Sequence, residues 1–333
     1  MWAIVVSRPG EFGLEELDDP APGPDEVLVK VGCCGVCGTD VHIVDGEFPP
    51  TPYPITPGHE FAGEVVALGS RAGEHPGWLQ EGLMVAVDPS LFCGRCRFCR
   101  VGRGNLCENW GATGDTVAGA FAEYVSVPAA NVHRLPEGVT AQEGAMVEPL
   151  SCAVHGLDRL GPVMGDRVLL SGAGTMGLLL QQLLVRAGAA EVVVVDRSAA
   201  RLETAKRLGA GATAASVEDL DGEVFDIAVD ATGVAAVLQA LPDRLDRGGR
   251  LMVFGVAPAA ATLALSPFRI YNDEIVVLGS MAVLHSFGPA VDLLARGAVD
   301  VGPMLSAPLA LERFGEALAR VRAGEGIKTH VAP

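Results

Sequence analysis

The chain has 333 residues, a formal charge of −17, 49% hydrophobic residues and only 5% aromatic ones. That length exceeds one ordinary core and predicts two domains. The acidity excludes nucleic acid and anionic membrane as partners, because phosphate surfaces would repel the chain, and leaves small molecules as the expected clients. No run is apolar enough for a membrane span. The opening Met1-Trp2-Ala3-Ile4-Val5-Val6 passes at once into Ser7-Arg8-Pro9-Gly10 and reads as a first strand, not a signal peptide. Eight cysteines without an export signal point to a reducing cytoplasm.

Up to about residue 150 the pattern is short β-branched runs broken by Pro and Gly, which predicts a β-rich domain with strands at Val27–Val31, Phe61–Leu68, Met84–Val87 and Phe121–Val127. Within it, Cys37-Gly38-Thr39-Asp40-Val41-His42 and Gly58-His59-Glu60 put a thiolate and an imidazole on separate loops. With a third ligand and one vacancy, these would form an open, catalytic zinc site. Further on, Cys93, Cys96, Cys99 and Cys107 have the spacing C-x2-C-x2-C-x7-C, which lets one short loop fold back around a tetrahedral ion and predicts a closed structural zinc site. Such an ion can supply on the order of 10 kcal/mol of folding energy to a lobe with almost no apolar core. A redox C-x-x-C pair would leave two of the four cysteines unexplained.

From about residue 160, strand-like runs (Val168–Ser171, Glu191–Val195, Ile227–Val229, Leu251–Phe254) alternate with helical stretches (Leu178–Ala187, Ala200–Leu208), predicting a doubly wound parallel sheet. Gly172-Ala173-Gly174-Thr175-Met176-Gly177 follows the first of these strands and opens a helix, and Asp196 ends the next strand. In that setting the glycines shape a turn around a pyrophosphate at a helix N-terminus, and Asp196 accepts hydrogen bonds from a ribose diol, which favours NAD over NADP. Arg197 and Arg201 stand close enough in sequence to reach a 2′-phosphate instead. Thr232 and Gly255, at later strand ends, either touch the cofactor or form turns. The tail from about 285 returns to helix and closes on a strand-like segment.

Taken together, Gly58-His59-Glu60-Phe61-Ala62-Gly63 with Gly69 and Ala72, the four-cysteine lobe and the nucleotide fingerprint resemble, in order, the zinc-dependent medium-chain alcohol dehydrogenases over nearly the whole chain. The resemblance implies a GroES-like catalytic domain from residues 1–149 and 285–333, with the structural lobe at 93–107, and a Rossmann coenzyme domain at 150–284. It implies two zincs per chain, NAD, and a homodimer or homotetramer. By position, Cys37 and His59 become catalytic zinc ligands, Thr39 the acceptor of the substrate proton, His42 its relay to water or a solvated loop histidine, and Asp40 the acceptor orienting His59. The segment Met146-Val147-Glu148-Pro149-Leu150-Ser151 resembles the polyol dehydrogenase branch and makes Glu148 the third ligand, with Glu60 its competitor and Cys152 ranked behind both. Phe48, Trp110 and Phe121 wall the pocket or belong to the core. Cys33 and Cys34 are core residues, and His75, His133, His155, His285 and His330 are structural. The implied reaction interconverts a polar secondary alcohol and its ketone. The alternatives are a short-chain alcohol or threonine-type amino-alcohol dehydrogenase, and a non-catalytic nucleotide-binding relative.

Overall fold

The computed structural model describes residues 1–48, 51–74 and 77–333, so His75 lies outside the described residues. The chain divides into two units, Met1–Ser151 with Val283–Pro333, and Cys152–Ala282.

The first unit is built on a sheet in the order Leu309–Ala310, Thr329–Ala332, Glu26–Val36, Glu60–Leu68, Met84–Val87 and Val132–Arg134, with Tyr124–Pro128 also pairing with Glu26–Val36. Along Glu26–Val36, Val27, Val29 and Val31 point inward while Lys30 is exposed, the period of two that a half-buried strand requires. From Cys33 the strand becomes buried on both faces. There the tail strand Thr329–Ala332 pairs antiparallel to it, setting Thr329 opposite Val36 and Val331 opposite Cys34, which is how the end of the chain joins the first unit. The strand expected from Phe121 starts later, at Tyr124. Residues 121–123 instead hydrogen-bond the N-terminal strand, through Ile4 N–H to Phe121 O at 2.8 Å and Glu123 N–H to Trp2 O at 3.0 Å.

His330, on the tail strand, is fully buried, and burial together with the Lys328 charge pushes its pKa down to about 3. An unfolded imidazole binds its proton near pH 6.5, so the stability that His330 supports is intact above that pH and is lost as pH falls toward its folded value. Between pH 6.5 and 5 this amounts to about 2 kcal/mol, at roughly 1.4 kcal/mol per pH unit. We therefore expect His330→Gln to reduce the drop in urea-unfolding free energy between pH 7 and pH 5. Equal pH dependence in parent and variant would contradict it.

The second unit is a six-stranded parallel sheet in the order Ala212–Ala214, Glu191–Val195, Arg167–Ser171, Phe225–Asp230, Leu245–Val253 and Val276–Gly279. Strand order reverses on either side of Arg167–Ser171, so a crevice opens beyond the carboxyl ends of that strand and of Phe225–Asp230. Both strands are buried almost throughout, as a parallel sheet covered by helices demands. No helix among the described residues is long and apolar enough to cross a membrane.

Candidate metal centres and nucleotide cleft

All eight cysteines are free thiols. Four of them, Cys93, Cys96, Cys99 and Cys107, bring their sulfurs within 4.8 Å of one another. Backbone N–H groups converge on these sulfurs: Cys96 N–H on Cys93 at 3.4 Å, Cys99 N–H on Cys96 at 3.5 Å, and Asn109 N–H on Cys107 at 3.3 Å. Backbone donors from Arg95 and Cys96 pull the Cys93 thiol down to about 6, toward the thiolate a metal needs. Around them are only two single-turn helices, Cys99–Val101 and Gly104–Leu106, with little buried apolar surface. A four-thiolate set in a lobe without a core fits a tetrahedral zinc that holds the loop together.

A second cluster forms where the central strand of the first unit ends. Cys37 is the N-cap of the helix Gly38–Asp45, its sulfur accepting the Thr39 N–H at 3.3 Å while Asp40 Oδ2 accepts the Cys37 N–H at 2.9 Å. That capping arrangement fixes the thiol at the helix mouth, and His59, just before the strand Glu60–Leu68, places Nε2 3.2 Å from it. Ligand atoms of Cys37, His59 and Glu60 lie within 4.8 Å of one another. Burial raises the Cys37 thiol, and it raises Asp40 to about 6. Burial would depress His59, but Cys37, Asp115 and Asp40 outweigh it and hold the imidazole well above its ordinary value.

On the far side of the ring, Asp115 Oδ1 is 3.2 Å and Asp40 Oδ1 3.8 Å from His59 Nδ1. Glu60 forms a buried ion pair with Lys328, whose ammonium also donates to Val36 O at 3.2 Å. Four acidic groups thus surround one imidazole and one ammonium, and the Oδ1 atoms of Asp40 and Asp115 and Nδ1 of His59 are buried without a hydrogen-bond partner. A thiolate, an imidazole and a carboxylate converging in a site short of positive charge fit a bound zinc.

In the second unit a cleft of about 520 Å³ opens at the strand-order reversal, lined by Gly172, Gly174, Asp196, Arg197, Arg201 and Thr232 among others. A Cβ on Gly177 would fall 1.8 Å from Gly172 O, so only glycine lets the helix Thr175–Arg186 approach the strand closely enough to aim its N-terminus into the cleft. At Gly174 an added Cβ would meet only the Arg201 side chain, at 3.9 Å, which leaves space above the helix mouth for a phosphate.

The alcohol dehydrogenase GroES-like domain matches residues 23–137, and the zinc-binding dehydrogenase domain matches residues 175–296. D-arabinitol dehydrogenase 1 of Uromyces fabae is 36% identical over 100% of this chain and 97% of its own length. The chain belongs to the zinc-dependent alcohol dehydrogenase family. Sorbitol dehydrogenase of Gallus gallus is 34% identical, covering 98% of this chain and 94% of its own. Among solved structures, a zinc-binding dehydrogenase of Sinorhizobium meliloti 1021 bound to NADP superposes with a TM-score of 0.94 at 35% identity, over 100% of this chain and 99% of that one. As a zinc alcohol dehydrogenase, the protein is an oxidoreductase that uses zinc and a nicotinamide cofactor.

The other residues singled out from the sequence fall partly at these sites and partly in the core. Glu148 is buried in the first turn of the helix Val147–Leu160, where the helix N-terminus favours a carboxylate, and it is outside the cluster that Glu60 shares with Cys37 and His59. Phe121 does not wall a pocket. It is fully buried, with its ring 4.7 Å from that of Phe314, and belongs to the core of the first unit. Phe48 packs on the edge of the same core, and Trp110 is half-buried with its indole N–H unpartnered. Gly255 is absent from the cleft lining, and a Cβ there would collide with Gly233 N at 2.1 Å, so it serves backbone packing between two loops. Thr175 and Met176 form the first turn of the helix at the cleft without lining it. Cys33 and Cys34 are buried in the central strand.

Three further residues have no motif of their own. Asp115 follows a glycine in what reads as an ordinary turn, Lys328 is a single cation in a short apolar tail, and Glu47 lies 2.8 Å from His42 Nδ1 in a loop with no distinguishing pattern. The only sequence signal for Asp115 and Lys328 is a charged residue placed among residues that fold inward, and Glu47, which is exposed, has none.

Proposed function

We propose that the protein oxidises a secondary hydroxyl of a polyol, sugar alcohol or cyclitol to the ketone, with NAD as the hydride acceptor. The observation that carries this reading is the Cys37–His59–Glu60 cluster, whose third donor is a carboxylate. The arabinitol and sorbitol dehydrogenase relatives support a polyhydroxylated substrate over an amino alcohol. Zinc bound to this donor set would act as a Lewis acid and lower the pKa of the substrate hydroxyl. Cys37 and His59 would hold the ion, with Glu60, or Glu148 through water, completing the set. Thr39, half-buried in the first turn of the capped helix, would accept the hydroxyl proton. His42, partly exposed and hydrogen-bonded to Glu47, would pass it to water. The balance is one alcohol and NAD to one ketone, NADH and a proton.

The cofactor preference rests on Asp196. Its two carboxylate oxygens accept the N–H groups of Ala173 and Ser198, each at 2.8 Å, which fixes the charge at the ribose end of the cleft. A 2′-phosphate there would have to be held by Arg197 and Arg201 against that carboxylate. Removing the charge with Asp196→Asn is expected to raise the NADP to NAD ratio of kcat/KM by tenfold or more, at about 1.4 kcal/mol per decade. An unchanged ratio would place the preference elsewhere.

The edge strand Val276–Gly279 leaves Val276 and Val277 exposed, and the nearby Phe268 and Tyr271 are exposed as well. Pairing of such edges between copies would cover them and supports a homodimer or homotetramer. Eight free thiols support a reducing, cytoplasmic setting.

The test is a panel of arabinitol, sorbitol, a cyclitol, threonine and short alcohols, run with NAD and with NADP on zinc-replete protein. Fastest NADH formation with a polyol is expected. Preference for threonine would move the reading to the amino-alcohol class, and no turnover at all would favour a nucleotide-binding relative without activity.

A further inference from the structure

His59 has two ring nitrogens in different surroundings. Nε2 faces the Cys37 sulfur at 3.2 Å, while Nδ1 points into the protein, where it has no hydrogen-bond partner of good geometry. Two carboxylates face that nitrogen. Asp40 Oδ1 is 3.8 Å away, and the other oxygen of Asp40 is committed to the Cys37 N–H as part of the helix cap. Asp115 Oδ1 is closer, at 3.2 Å, and has no other partner among the described residues.

Asp115 reaches this position through backbone packing. Its turn is closed by the Gly114 N–H to Val117 O at 2.8 Å and the Asp115 N–H to Ala112 O at 3.1 Å, and Thr116 Oγ1 accepts the Ala112 N–H at 2.9 Å. The turn is then seated on the segment that carries His59. Gly119 N–H donates to Thr56 O at 2.7 Å, and Ala120 N–H to Gly58 O at 2.9 Å. A Cβ on Gly114 or on Gly119 would come within 2.4 Å of Gly58 O, so the approach is possible only with glycine at both positions. The main chain therefore brings Asp115 close enough for its short side chain to set the carboxylate against the ring.

We propose that Asp115, rather than Asp40, is the positioning residue for His59: its carboxylate accepts a hydrogen bond from the Nδ1–H and so keeps the Nε2 lone pair directed at the metal. This rests on reading Cys37, His59 and Glu60 as the catalytic metal centre. A metal-bound imidazole is held in one tautomer and one orientation by the acceptor at its other nitrogen, and loss of that acceptor typically weakens metal binding 10- to 100-fold. Asp40 keeps a separate part, as the cap that fixes Cys37.

The experiment uses the full zinc-loaded chain and measures the dissociation constant of each zinc by chelator competition, in the parent, Asp115→Asn and Asp40→Asn. Asp115→Asn is expected to weaken one zinc roughly 10- to 100-fold and leave the other unchanged, and to weaken it more than Asp40→Asn does, whose amide oxygen can still accept the Cys37 N–H. Equal affinity in parent and Asp115→Asn, or a larger loss in Asp40→Asn, overturns the proposal. A second measurement needs no variant. In zinc-loaded parent labelled with 15N-histidine, His59 should carry its proton on Nδ1, protected from exchange and hydrogen-bonded, and a proton on Nε2 overturns the proposal equally. A parent that binds a single zinc overturns the metal-centre reading together with this one, whereas two zincs with an unaffected Asp115→Asn variant overturn only the role of Asp115.

Discussion

Lys328→Met is expected to destabilise the first unit by roughly 3–5 kcal/mol, the range for removing one partner of a buried ion pair. Lys328 is 3% exposed and Glu60 4%, and the strand pairing that brings the tail beside Val36 seals both. Nothing else can enter: a Cβ on Gly35 would already lie 2.3 Å from Glu60 Oε2 and 2.7 Å from the Lys328 side chain. Burial alone would lower the lysine's pKa, but Glu60 and Cys37 outweigh it and raise the value, so its contribution to stability is present at neutral pH and lost only as pH rises through that raised value. Without the ammonium, the Glu60 carboxylate of the metal-free chain is left among Cys37, Asp40 and Asp115 with no neutralising neighbour except His59. The double variant Lys328→Met with Glu60→Gln removes both charges and should recover most of the loss, because the penalty comes from the uncompensated charge and not from the missing pair. Urea unfolding followed by far-ultraviolet circular dichroism provides the comparison. A loss below about 1 kcal/mol in the single variant, or no recovery in the double, would show that water reaches the pair.

What could be read from the sequence divides by the range of the interaction involved. The four inner strands of the parallel sheet are legible because each contains a short apolar run set between helical stretches, and Glu191–Val195 begins and ends at the expected residues, whereas the edge strand Ala212–Ala214 has no apolar run to mark it. The four-cysteine lobe and the turn at Gly172–Gly177 are legible because their chemistry is contained in one local segment. The charged shell of the second cluster is different in kind. Lys328 meets Glu60 across 268 residues of chain, and Asp115 meets His59 only because Gly114 and Gly119 let two loops touch. A lone lysine near a C-terminus and an aspartate after a glycine are common everywhere, and nothing local marks them. The same reasoning applies to Phe121 and Glu148: an aromatic or an acid at a family-like position has a local identity, while its burial is decided by partners elsewhere, Phe314 in one case and the helix mouth at Val147 in the other.

Cys37→Ala should reduce bound zinc from two per chain to one and lower kcat/KM by roughly 10,000-fold, about 5.5 kcal/mol of transition-state stabilisation. The argument for independence is structural: the lobe sulfurs of Cys93, Cys96, Cys99 and Cys107 form their own cluster with their own backbone donors, and none of them belongs to the group at Cys37. Cys37 also caps its helix, so alanine removes the acceptor for the Thr39 N–H as well as a ligand, and about 1 kcal/mol of helix stability goes with it. Cys37→Ser separates the two effects, since its hydroxyl can still cap the helix but is a far weaker zinc ligand than a thiolate. Equal loss of one zinc in both variants, with thermal stability better preserved in the serine form, is the expected pattern. Loss of both zincs would mean that the lobe depends on the catalytic centre for its own metal, and full activity with one zinc would remove Cys37 from the chemistry.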